Sequence, residues 1–238
     1  MKTAKTIFAS IMLWLGLQTF SPAYTRNIDI SRGNVNFKEI ALTFDGHYSE
    51  GKIEQILKTL EEKNVGATFF LTGNFIKKYP QTVKKISEQG YEIENHTYYH
   101  KALAKLKNKR YLTSTTQKIV KDELRKTDSR LYNLVRKHMK FWRAPYGAFN
   151  RQIIDWSNED HIYWTEDTID WRKDGNLDAR ISNVLKKIQK DKYHGNGSII
   201  LMHVDSKIYE KLPGFIDRLK KLRYSLVTVE QILNDRQD

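Results

Sequence analysis

Two imidazoles four residues apart, His96 and His100, are the first residues in this chain whose types and spacing suggest chemistry. If the segment makes a helical turn, the rings share a face and can aim their nitrogens at one metal ion. The pair gains meaning from other polar groups placed at or just beyond apolar, strand-like runs. These are Asp45 in Thr43-Phe44-Asp45, Arg143 in Arg143-Ala144-Pro145-Tyr146, Asp167 and Asp170 in Asp167-Thr168-Ile169-Asp170-Trp171, and His203 in Leu201-Met202-His203. Amide hydrolysis needs an activated water, a stabiliser for the developing oxyanion and an acid for the leaving amine. Asp45 can act as base, a metal on His96 and His100 can polarise water and carbonyl, and His203 can act as acid. Arg143 can orient Asp45 and keep it ionised, Asp170 can fix one tautomer of His203 and raise its pKa, and a backbone N–H near Tyr146 can serve the oxyanion.

The elements that must position these groups alternate. A buried strand over 38–45 ends in Asp45, and Ser49 is expected to cap a helix running to about Lys63 with Ile53, Ile56, Leu57 and Leu60 on one face. A strand over 65–72, a helix over 80–89 stopped by Gly90, and a short strand over 91–94 then deliver His96. Residues 101–140 read as mostly helix, followed by strands at 139–143 and 162–165, a helix over 178–190, a strand at 198–202, a helix over 209–222 and a last strand at 225–229. Strand–helix alternation implies parallel βαβ units with reactive groups at the C-terminal strand ends, in a closed or nearly closed α/β barrel of about seven strands with outer helices, with an open doubly wound sheet as the alternative because periodicity does not reveal closure.

With 238 residues and 39% hydrophobic content, the chain can bury one full core. A basic start, an apolar run over 7–20 and small residues at Ser21-Pro22-Ala23 give residues 1–23 the pattern of a signal peptide, leaving a short extension over 24–36 and one catalytic domain over 37–235. The expectation is an exported protein, periplasmic, extracellular or wall-associated, monomeric and without a membrane span after cleavage. Cysteine is absent, which excludes disulfides, thiolate ligands and a cysteine nucleophile. The net charge of +13 suits anionic surfaces, but the lysines are spread along helix faces, so no nucleic-acid partner is expected. The densest basic run, 101–110, follows His100 directly and could steer an acidic polymer.

Thr43-Phe44-Asp45, His96-Thr97-x-x-His100, Arg143-x-Pro145-Tyr146, Asp167-x-x-Asp170-Trp171 and Leu201-x-His203, in this order, resemble the polysaccharide deacetylase family, also called carbohydrate esterase family 4 or NodB-like domains. The likeness runs over about 37–235 and extends to Ala67-Thr68-Phe69-Phe70 and Gly73. It implies a distorted (β/α) barrel that removes N-acetyl groups from N-acetylhexosamine polymers with a divalent metal, zinc (Zn2+) first and Co2+, Ni2+ or Mn2+ as alternatives. By the same resemblance Asp45 is the base, His96 and His100 bind the metal, Arg143 orients the base, and Tyr146 beside Pro145 lends a backbone N–H. His203 is the acid tuned by Asp170, while Leu201 and Trp171 shape the acetyl pocket and groove.

One position departs from the pattern. The family's commonest first motif has two consecutive aspartates, the second a metal ligand, whereas this chain reads Asp45-Gly46-His47. Three outcomes stay open: a weaker two-histidine site completed by water, His47 as substitute ligand, or a catalytically impaired sugar binder. The expected substrate is an N-acetylated polysaccharide, peptidoglycan first and chitin-like or β-1,6-linked N-acetylglucosamine polymer second; an O-acetyl esterase is the rival enzyme. Asp167 reads as structural, and His138, His161 and His194 carry no assigned role.

Overall fold

Strand β2 (Glu39–Gly46) faces two ways, and its alternation sets the plan of the molecule. Ile40, Leu42 and Phe44 join the large apolar layer under the outer helices, while Ala41 joins a separate inner cluster with Ile30, Phe70, Ile162 and Ile199. Thr43 and Asp45 share the inward side with Ala41. In this computed structural model, residues 28–104 and 115–234 are described. The expected signal peptide and most of the basic run after His100 lie outside the described residues.

The strands are β1 (Asp29–Ile30), β2, β3 (Thr68–Leu71), β4 (Glu92–Asn95), β5 (Phe141–Trp142), β6 (Asp160–Ile162), β7 (Glu166–Asp167), β8 (Ser198–His203) and β9 (Ser225–Val227). They form one sheet in the order β1-β6-β5-β4-β3-β2-β8-β7, with β9 added beside β2. Every strand pairing is parallel, and a single bridge between Arg32 and Ser198 links the segment after β1 to β8. This is the expected distorted (β/α) barrel, with more strands than about seven because several are two or three residues long. The segment read as an extension contributes β1, which pairs with β6 and so belongs to the barrel.

The helices are α1 (Ile53–Glu62), α2 (Gly73–Lys78), α3 (Pro80–Glu88), α4 (Gln117–Val135), α5 (Arg151–Ser157), α6 (Leu177–Lys190), α7 (Ile208–Lys221) and α8 (Val229–Asn234). Two expectations are corrected. Ser49 does not cap α1; its hydroxyl accepts the Gly51 N–H, and the helix starts at Ile53 after Lys52. Residues 96–100 are not a helical turn, because Thr97 and His100 take left-handed φ values of 63° and 56°. Helices α2, α5 and α8 were not foreseen; each is seven residues or fewer, too short for a clear periodic signal. Helix α8 closes the floor of the barrel with Val229, Ile232 and Leu233, and the carboxylate of Glu92 on β4 accepts the N–H groups of Val229 and Glu230 at its start.

His161 on β6 locks β1 into the barrel. Its Nδ1–H donates to Asp29 at 2.7 Å, and its Nε2 accepts the Ala144 N–H at 3.1 Å. Burial depresses its pKa despite Asp29, which raises it. Because the folded ring resists a proton that the unfolded ring takes up near 6.5, its contribution is present above that pH and is lost as pH falls. His161→Leu should lose about 1–3 kcal/mol at neutral pH by leaving the Ala144 N–H unpaired. In denaturant melts the gap to wild type should narrow on acidification; a constant or widening gap would refute the assignment.

Candidate active site

The register of β2 against β8 puts two functional side chains side by side. Ala41 pairs with Ile199, Thr43 with Leu201 and Asp45 with His203, so the inward rungs pass from apolar at the floor to ionisable at the C-terminal end. Asp45 and His203 then face one pocket of about 1060 Å³, which His47, His96, His100 and Trp171 also line.

Asp45 is fixed by Arg143, whose Nη1 donates to Asp45 Oδ1 at 2.9 Å and to Thr43 Oγ1 at 2.8 Å. The Nε and Nη2 groups of Arg143 donate to the carbonyls of Ile162 and Tyr163, and the guanidinium lies 3.9 Å from the Phe70 ring centre. Burial alone would raise the pKa of Asp45, but the positive charge around it, from His96 when protonated, Arg143 and His203, leaves it lowered. Arg143 is the partner that stays charged at every working pH.

His203 is governed by Asp170. The Nδ1–H of the ring donates to Asp170 Oδ1 at 2.9 Å, while the other carboxylate oxygen accepts the His203 N–H and the Ser206 hydroxyl. Burial works against the charged ring, but the hydrogen bond and charge of Asp170, with Asp45 and Asp167 behind it, push His203 up to about 9. The ring therefore carries a proton at neutral pH, with Nε2 left for the pocket.

His96 and His100 come together without a helix. The Nδ1–H of His96 donates to the Arg143 carbonyl at 2.9 Å, and its Nε2 lies 3.5 Å from Asp45 Oδ2. Burial lowers His96 to about 4 and pushes His100 further down, so both rings are neutral. The loop between them is held by Glu123 of α4, whose Oε2 accepts the N–H groups of Tyr98 and Tyr99 at 2.8 and 2.9 Å. Asn95 adds a bond from the Thr97 N–H to its side-chain oxygen. Glu123, Asn95 and Thr43 escaped the sequence reading; only the position of Thr43 two residues before Asp45, on the same side of a strand, could have pointed to one of them.

His47 borders the same space, with ring centres 4.2 Å from His100 and 6.5 Å from His96. As placed it does not present itself as a ligand, because its Nδ1 lone pair accepts the Tyr48 N–H at 2.9 Å. Among the described residues, no three His, Cys, Asp or Glu side chains gather at metal-holding spacing. Tyr146, at φ 61° and ψ 11°, turns the chain at the pocket mouth after buried Pro145, and its hydroxyl lies 3.3 Å from that of Tyr48. Leu201 is buried in the pocket wall, and Trp171 is exposed on its rim. Asp167 also lines the pocket, but its Oδ1 accepts the Ile169 N–H at 2.6 Å, a turn-forming bond consistent with the structural reading. His138 lies outside it, paired with Asp128.

Position 46 has a cause in the strand. Even-numbered residues of β2 face the outer layer, so a Cβ on Gly46 would lie 2.7 Å from Leu71 Cδ2 and 3.4 Å from Phe75 and Val204. A Cβ there meets apolar atoms of the outer layer before anything else.

The family model for polysaccharide deacetylase matches residues 32–163. The chain is 36% identical over 202 residues to a peptidoglycan-N-acetylglucosamine deacetylase of Bacillus cereus, covering 82% of this chain and 66% of that protein. It is 32% identical over 209 residues to YlxY, an uncharacterised protein of Bacillus subtilis, covering 87% of this chain and 60% of YlxY. The chain thus spans 60 to 66% of the length of these two relatives. Among solved structures, BA3943 of Bacillus anthracis, described as a carbohydrate esterase family 4 pseudoenzyme, superposes with a TM-score of 0.73 at 26% identity over 86% of this chain and 68% of that one. A mutant of BA3943 described as having restored enzymatic activity superposes equally well.

Gly46→Asp should therefore cost about 1–3 kcal/mol by overpacking the layer around Leu71, with no gain in zinc affinity by calorimetry. Pairing it with Leu71→Ala should relieve the strain. Full stability together with zinc binding more than about tenfold tighter in the single variant would show that the backbone can turn position 46 inward.

Proposed function

The chain belongs to the polysaccharide deacetylase family, and we propose on that footing that it is an exported, metal-dependent enzyme removing N-acetyl groups from N-acetylglucosamine-containing wall polysaccharide, peptidoglycan first. The observation that carries this reading is the pairing of an ionised carboxylate and a protonated imidazole on adjacent strands, each with its own charged partner: Asp45 with Arg143, and His203 with Asp170. A base and an acid held in opposite protonation states over one pocket are what amide hydrolysis requires. No helix among the described residues is long and apolar enough to cross a membrane.

The donor chemistry fits a divalent ion on His96 and His100. Both are neutral, and His96 gives its second ring proton to a backbone carbonyl, as metal-bound imidazoles commonly do. Bound there, a divalent ion, zinc first and Co2+, Ni2+ or Mn2+ by the same donor set, would polarise the acetyl carbonyl and the attacking water. Asp45 takes the proton from that water as its oxygen adds to the carbonyl carbon. His203 gives its Nε2 proton to the nitrogen as the carbon–nitrogen bond breaks, leaving acetate and a free amine. The backbone at Tyr146 borders the developing oxyanion, Leu201 receives the acetyl methyl, and Trp171 offers a face to the neighbouring sugar.

A second reading, a wall-polymer binder without turnover, is favoured by Gly46 itself, which offers no carboxylate beside His96 and His100. Acetate release from peptidoglycan, N-acetylglucosamine oligomers and acetylated xylan, with and without added zinc, separates the two. Release from the first two that stops with chelator supports the enzyme; tight binding with no acetate from any polymer supports the binder. Asp45→Asn should lower turnover by about a hundredfold or more while calorimetry still shows zinc bound. His47→Ala should leave zinc affinity within about threefold, since ligation by His47 would first cost its bond to Tyr48.

The acid also fixes a pH limit. A ring whose pKa is raised to about 9 stays largely protonated below that value, so loss of the acid limits turnover on the alkaline side, while protonation of Asp45 limits it on the acid side. Asp170→Asn should move the alkaline limb toward the ordinary imidazole value of 6.5. A limb that stays in place would remove His203 from the acid role.

A further inference from the structure

A second groove, of about 710 Å³, lies behind the loop that carries His96 and His100, between α2 and α4. Tyr98 and Tyr99 form one wall. Lys77, Arg125, Lys126 and Arg130 contribute four cations, and among the described residues no carboxylate lines it. Along α4 the groove face is Lys126, Ser129, Arg130 and Asn133, a spacing that puts all four on one side of the helix, opposite the buried Val120, Leu124 and Leu131. Every one of these side chains can donate a hydrogen bond.

This stripe is costly without a partner. Lys126 and Arg130 are like charges four residues apart, an arrangement that destabilises a helix by about 0.2–0.5 kcal/mol. The acids around them on the helix are engaged elsewhere: Asp122 with Lys118 and Arg125, Glu123 with the Tyr98 and Tyr99 N–H groups, and Asp128 with His138 and the Met139 N–H. Arg130 lies over the Tyr98 ring at 5.8 Å, and its buried Nε–H has no hydrogen-bond partner. An unpaired buried donor costs free energy that an incoming acceptor would recover. On the far wall, exposed Lys77 sits in the last turn of α2 and forms no ion pair among the described residues.

We propose that this groove binds a polyanion, a chain whose phosphodiester or carboxylate groups run along the Lys126 to Asn133 face of α4 with Lys77 opposite. The inference does not rest on the deacetylase reading, and its test reads binding rather than turnover. Fluorescence anisotropy at low ionic strength would follow two labelled probes, a poly(glycerol phosphate) and a poly-glutamate. Lys77→Glu with Lys126→Glu should weaken at least one probe by about tenfold or more and flatten its salt dependence. Lys186→Glu with Lys190→Glu makes the same change in net charge on exposed positions of α6 and should weaken it by less than about twofold. Arg130→Gln, which removes a charge without reversing it, should also weaken the same probe. Loss confined to one probe identifies phosphate or carboxylate as the source. Equal losses in the two double variants, or no binding of either probe to the wild type, would overturn the proposal.

Discussion

A single buried guanidinium carries the upper half of the barrel. Arg143 is fully buried, and removing such a charge from water costs several kcal/mol unless it is paired and hydrogen-bonded. It meets one opposite charge, Asp45, and its donors reach Thr43 on β2 and the carbonyls of Ile162 and Tyr163 at the end of β6. Its own carbonyl takes the Nδ1 proton of His96. Asp45, the imidazole beside it and the strand ends that hold both are thus tied to one side chain. Satisfying that charge specifies how β2, β5 and β6 meet.

Much of this was legible in the sequence. The apolar–polar alternation of 40–45 told which side of β2 faced inward, and the helices over 80–88, 177–190 and 208–221 fell close to their apolar periodicity. The meeting of Asp45 with Arg143 and of Asp170 with His203 followed from charge and strand-end position. The loop from His96 to His100 was misread for a physical reason. A spacing of four suggests a helical turn, but Glu123, distant in sequence, captures the backbone of Tyr98 and Tyr99 and holds the chain in left-handed kinks. His161 was invisible for the same kind of reason, since its partners Asp29 and Ala144 come from separate parts of the chain.

The two halves of the site depend on position 46 very differently. Asp45 owes its ionised state to Arg143, and His203 owes its proton first to Asp170. Neither pairing involves residue 46, so both stand complete whatever occupies it. The proposed metal side is thinner: two neutral imidazoles would supply donors but no compensating negative charge, and affinity for a divalent ion falls with each anionic ligand removed.

That asymmetry also bears on how the missing carboxylate should be understood. A glycine in place of a ligand suggests an open socket, but the pleat of β2 turns position 46 toward Leu71, Phe75 and Val204. The space is already occupied by core, and the packing that fills it also supports the strand carrying Asp45. A backbone that delivered a second carboxylate to the imidazoles would have to break the alternation just after Asp45, as a bulge does by placing consecutive residues on one side. A carboxyl group added at 46 first has to displace Leu71, which packs against Phe75 and Val204 in the outer layer.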